Sequence, residues 1–168
     1  MKKSFLLLFA FLMLPLIVSA QGMVDVYIVD SDGPVTNVRN SPKGKVVATL
    51  PTDEAYVVSL ISAKGEWWKI DDVVLQCGDN EKDVLLNGSK TGYWIHRSLL
   101  WFSIAGDPAG ALRAAPSAKA KAVKLKGEPY FHPIAVKGNW VKAVSTDGKC
   151  TGWIHCDKIC SNPLTTCP

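Results

Sequence analysis

The sequence writes one short phrase twice. "TGYWIHRSLL" begins at Thr91 and "TGWIHCDKIC" at Thr151, and the blocks ahead of them repeat as well. Val38-Arg39-Asn40-Ser41-Pro42 is echoed by Leu112-Arg113-Ala114-Ala115-Pro116. Gly65-Glu66-Trp67-Trp68-Lys69-Ile70 is echoed by Gly138-Asn139-Trp140-Val141-Lys142-Ala143. Three blocks in one order, present twice, are a duplication, and a duplication limits the architecture more than composition does. The offset between copies is 74 residues at the first block, 73 at the second and, from Trp94 to Trp153, 59 at the third. The first copy therefore carries 14 additional residues, which fall within 71–89 and read as an inserted loop.

Each copy reads as short strands between turn residues. "VVATLP", "AYVVSLI" and "WWKI" are rich in β-branched and aromatic residues and are bounded by Pro-Lys-Gly, Pro-Thr-Asp and Lys-Gly-Glu. No segment after Gln21 carries a capped helical stripe. Five or so short strands in about 60 residues predict a small barrel, which removes most of its exposed edges by curling on itself. The expectation is an all-β chain of two small barrels in tandem, over 21–104 and 105–168, linked near Ser103 to Gly110.

Strand alternation sorts the repeated side chains. In "WWKI", Trp68 and Ile70 share one face and Trp67 and Lys69 the other. The second copy sets Val141 and Ala143 against Trp140 and Lys142. The apolar face belongs to the core, and so do Ile95 and Ile154. Trp67, Trp94 and His96 in one copy, and Trp140, Trp153 and His155 in the other, are thereby expected at the rim as groove candidates. A Trp beside a polar neighbour suits binding, because its ring offers area and its N–H a donor.

The first twenty residues, "MKKSFLLLFAFLMLPLIVSA", carry the marks of a secretory signal. Lys2 and Lys3 precede an apolar run, and Val18-Ser19-Ala20 is a small-residue cleavage site. The run is short for a membrane span of about 20 residues and is broken by Pro15. The expectation is an exported chain starting near Gln21, with no membrane span after cleavage. Past that point the charge is uneven, with 8 basic and 11 acidic residues over 21–104 and 9 basic and 4 acidic over 105–168. That asymmetry suits docking of the two halves or attraction of the second to an anionic surface. No strongly basic stripe points to a nucleic-acid partner.

Five cysteines are present, Cys77 in the insertion and Cys150, Cys156, Cys160 and Cys167 near the end. Export favours disulfides, and small modules gain much from a staple. Cys150 and Cys156 flank a strand and stand about 20 Å apart at ~3.3 Å per residue, too far to bridge. Open pairings are Cys150–Cys160 with Cys156–Cys167, Cys150–Cys167 with Cys156–Cys160, or one bond among the four. Cys77 is then free, or pairs across the halves or between chains. The nearest set for a metal is His155, Cys156 and Cys160, but oxidation competes for such cysteines, so no metal or other cofactor is expected. Neither His96 nor His155 is accompanied in sequence by a nucleophile and an orienting partner, so no catalytic residues are expected.

The three blocks resemble the bacterial SH3-like (SH3b) domain. "NVRNSP", "GEWWKI" and "GYWIHRSLL" in the first copy, and "LRAAPS", "GNWVKA" and "GWIHCDKIC" in the second, follow that family's order over nearly all of the chain after Gln21. The resemblance implies two SH3-like barrels, each repeated phrase supplying a closing strand. It also implies a non-catalytic module that recognises peptidoglycan or another cell-envelope component. No attached enzyme is expected for it to target, which favours as an alternative a periplasmic protein-binding partner or inhibitor of an envelope enzyme.

Overall fold

The computed structural model describes residues 24–106, 111–127 and 129–165. The expected signal segment, Met1 to Ala20, the end of the expected linker at 107–110, and Cys167 lie outside the described residues. The chain is all-β. Its strands are β1 (Val24–Ile28), β2 (Val35–Arg39), β3 (Val46–Pro51), β4 (Ala55–Lys64), β5 (Trp67–Cys77), β6 (Lys82–Leu85), β7 (Tyr93–His96) and β8 (Leu100–Ile104). After 111–127 come β9 (Tyr130–Lys137), β10 (Trp140–Ser145), β11 (Thr151–His155) and β12 (Ile159–Cys160). One-turn 3₁₀ segments, Arg97–Leu99 and Cys156–Lys158, follow the repeated Trp-Ile-His.

The duplication is visible in the hairpins. Lys64 pairs with Trp67 and Lys137 with Trp140, across two-residue loops that begin with Gly65 and Gly138. Both glycines stand at positive φ, 62° and 56°, as the first position of a II′ hairpin turn requires. The Lys-Gly-x-Trp phrase thus encodes a tight turn whose twist matches its flanking strands.

The residues between 71 and 89 are not a loop. β5 runs on to Cys77 and pairs with β6, with Val73 opposite Leu85 and Gln76 opposite Lys82. Val73-Val74-Leu75 and Val84-Leu85 have the β-branched and aliphatic content of strands, and Gly78-Asp79-Asn80 supplies the turn between them. The insertion is a hairpin that lengthens the sheet. Val73 and Leu85 remain on its exposed side.

The linker also differs from expectation. Ser103 and Ile104 belong to β8, and β8 serves both halves. Its first part pairs with β1, Tyr27 opposite Trp101 and Ile28 opposite Leu100. Its second part pairs with β9, Phe102 opposite Phe131, and with β12, Ile159 opposite Ile104. The described strands consequently form one open antiparallel path, β11-β10-β9-β8-β1-β4-β5-β7-β2-β3, not two separated sheets. In the first half the strand after the 3₁₀ turn pairs with β1. In the second, β12 pairs with β8, so one strand closes the first copy and opens the second.

One apolar core runs through both halves. Trp68, Ile70, Ile95, Val141, Ala143 and Ile154, assigned inward by alternation, are all at most 1 % exposed. Leu100 and Phe102 on β8 are fully buried, and Phe102 stacks on Phe131 with ring centroids 5.8 Å apart. Trp68 Nε1 donates to the Pro133 carbonyl at 3.0 Å, and His132 Nδ1 donates to the Leu100 carbonyl at 3.0 Å. Both bonds cross from one copy to the other.

Candidate functional site

Cross-strand register puts the same five residues, of four types, on one face in each copy. In the first, Trp67 is opposite His96, Lys69 is opposite Trp94, and Trp94 is opposite Arg39. In the second, Trp140 is opposite His155, Lys142 is opposite Trp153, and Trp153 bridges Arg113. Directly opposed residues share a face, so each copy presents an Arg, two Trp, a Lys and a His together. All ten side chains are half-buried. The six candidates therefore share the face opposite the core in each copy. Arg39, Arg113, Lys69 and Lys142 join them, a grouping that the repeated "R-x-x-P" and "W-x-K" phrases carry but do not reveal.

The Trp–His geometry repeats closely. The Trp67 and His96 rings meet edge to face at 5.2 Å and 72°, and Trp140 and His155 at 5.0 Å and 78°. The arginines are held locally. Arg39 Nη1 donates to the Gly44 carbonyl at 2.7 Å, and Arg113 Nη1 to the Ala120 carbonyl at 3.4 Å. Each Arg thereby ties down the loop that follows it, which explains its position ahead of that loop in both copies.

The two faces differ in what surrounds the shared residues. In the first, the Arg39 guanidinium lies 5.9 Å above the Trp67 ring, a cation–π contact, and Glu66 pairs with Arg97 at 2.9 Å. In the second, Trp140, His155, Arg113, Asp157 and Lys158 line an open cleft of about 290 Å³. The histidines are also held in opposite senses. His96 Nδ1 accepts from the Ser98 N–H, so its Nε2 carries the proton and points at Glu66 Oε2, 3.6 Å away. His155 Nδ1 lies 2.7 Å from Asp157 Oδ1, and a carboxylate only accepts, so Nδ1 carries the proton there. Neutral His155 thus offers Nε2 as an acceptor.

Ser98, His96 and Glu66 stand in a row that sequence reading did not connect. Ser98 Oγ is 2.8 Å from His96 Nδ1. The geometry is that of a cap on the 3₁₀ turn. The Ser98 N–H is spent on His96, and the Arg97 N–H on the Glu66 carbonyl at 2.7 Å, so neither amide is open to an oxyanion. The second copy has Asp157 where the first has Ser98. What the copies share is the Arg-Trp-Lys-Trp-His face, not a nucleophile.

The cysteines depart from the two-bond pairings, while Cys77 is free as one of the alternatives had it. Cys77, Cys150 and Cys156 are free thiols, so neither of the two-bond pairings is present. Cys150 is buried against the core with its thiol directed to the Lys124 carbonyl, 3.6 Å away, and Cys156 sits in the 3₁₀ turn. Packing fills the place of a staple at Cys150. Cys160 ends β12 and is buried. Burial and then the Glu81 carboxylate raise the Cys77 thiol above its ordinary pKa, which holds it protonated and unreactive. Among the described residues, His155, Cys156 and Cys160 are not brought together as a metal-ligand set. Titration of the unfolded, unreduced protein with a thiol reagent should find at least three thiols per chain. One or none would restore the stapled tail.

No protein-family model matches the sequence, and no curated protein matches it.

Proposed function

We propose that this chain is an exported, non-catalytic binding protein made of two SH3-like modules that share a strand. It recognises peptidoglycan or another anionic component of the cell envelope through its paired aromatic and basic faces. The observation that carries this reading is the recurrence of Arg, Trp, Lys, Trp and His in one register on both copies. Loop anchoring accounts for each Arg, but not for the Lys that stands beside the indoles in both copies. The indoles suit the apolar faces of a polymer, and Arg and Lys suit its carboxylates.

Trp140 is the expected anchor, because its cleft is open while Trp67 is covered by Arg39. The test is retention of the purified chain on sacculi. Trp140→Ala should weaken retention by about 2 kcal/mol or more, roughly 30-fold, with the fold unchanged. Trp67→Ala should have a smaller effect. Absence of retention on sacculi, with capture of a soluble envelope protein instead, would favour the inhibitor or partner reading.

A further inference from the structure

The pairing of the two halves along β8 creates a second cavity that neither copy contains alone. Tyr27 stands opposite Trp101, and Ser103 stands opposite both Tyr130 and Cys160. Trp101 and Ser103 alternate with core residues, so these side chains share the outer face of β8. They line a cavity of about 580 Å³, twice that at Trp140 and within the range of small-ligand sites. Asn162 and Thr165 form its opposite side.

Three features specify an occupant. First, among the described residues no Asp, Glu, Lys, Arg or His lines the cavity. An ionised ligand would lose hydration there without a counter-charge. Second, the Trp101 and Tyr130 rings lie 6.0 Å apart and inclined at 47°, two walls of an aromatic cleft. Third, the Tyr27 side chain is only 5 % exposed, and its hydroxyl, which makes no hydrogen bond among the described residues, is the accessible part that reaches the cavity. Burial chiefly, and Tyr130 next, push its pKa up to about 12, so it stays protonated and can donate. Asn162 adds polar capacity, since its Oδ1 accepts from the Leu164 N–H at 2.9 Å and its amide N–H groups remain free to donate.

We infer that the outer face of β8 is a binding site for a neutral saccharide, stacked between Trp101 and Tyr130 and hydrogen-bonded to the Tyr27 hydroxyl. A sugar ring combines the two properties that the lining requires, apolar C–H faces for the aromatic walls and hydroxyls for Tyr27, Asn162 and Thr165. An acyl chain satisfies only the first. The site is separate from the Trp140 cleft and does not depend on the envelope reading.

The indole N–H of Trp101 reports on it, because that proton is fixed on the Ser98 carbonyl at 3.1 Å. Chitotetraose, cellotetraose and maltotetraose are titrated into the ¹⁵N-labelled chain starting at Gln21, with the Trp101 indole assigned through Trp101→Phe. At least one should shift that resonance saturably. Tyr27→Phe, which preserves packing, and Tyr130→Ala, at a 40 % exposed position, should each weaken binding at least tenfold. Trp140→Ala should leave it unchanged, whereas retention on sacculi should respond in the opposite way. The inference is overturned if none of the three sugars shifts Trp101, if the shift persists undiminished in the Tyr27 and Tyr130 variants, or if laurate moves the resonance and the sugars do not.

Discussion

A fragment that begins at Ala105 should fail to fold, while one that begins at Leu100 should recover a dispersed amide spectrum. The difference is five residues of β8. Without them, β12 loses its ladder partner, β9 loses the pairing of Phe131 with Phe102, and the buried Phe131 ring loses its stacking neighbour. Exposing Phe131 alone forfeits about 1.5–3 kcal/mol of burial, a large share of what a module of this size can have. Chains of such length bury a smaller share of their surface than larger domains do, so loss of one strand is decisive. Amide dispersion in ¹H–¹⁵N spectra of the two fragments checks this. A well-dispersed spectrum from the shorter one would mean that the second copy is an independent domain and that β8 is shared only by proximity.

Trp68→Ala should destabilise the whole chain by about 3–5 kcal/mol, through the cavity left by a fully buried indole. The same substitution strips the Pro133 carbonyl of its donor, so the damage reaches the second copy directly. Unfolding in urea followed by circular dichroism should show one transition, with a midpoint lower by about 2 M for a slope near 2 kcal/mol/M. Trp67→Ala removes an edge-to-face ring pair and a cation–π contact on a half-buried face and should cost only about 1 kcal/mol. Neighbouring residues of identical type would then differ severalfold in effect. Equal losses would place both indoles in packing roles and remove the first copy's face from the binding reading.

That contrast was legible in the sequence because it depends only on alternation along a strand. Once "WWKI" and "WVKA" are strands, one Trp of the first copy is buried and the other is not, and the core assignments at Ile95 and Ile154 follow in the same way. The duplication, the II′ turns at Gly65 and Gly138 and the rim positions of Trp67, Trp94, Trp140 and Trp153 are local facts of that kind. Local patterns cannot say which strand edges meet. β8 alternates Leu100, Phe102 and Ile104 inward with Trp101 and Ser103 outward, and that pattern suits β1, β9 or β12 equally. Only the tertiary structure decides that it takes all three.

The cavity beside Tyr27 exists for the same reason. Its residues come from β1, β8, β9 and the segment after β12, separated by up to 138 positions from Tyr27 to Thr165, and no spacing in the sequence brings them together. The cysteines tell a similar story. Their clustering suggested staples, but whether thiols bond depends on Cα distances set by packing, and Cys150 is spent on the core. Period-two alternation, imposed by the pleat of each strand, determined what faces inward. The meeting of distant edges, imposed by closing one core over both copies, determined where the cavity lies.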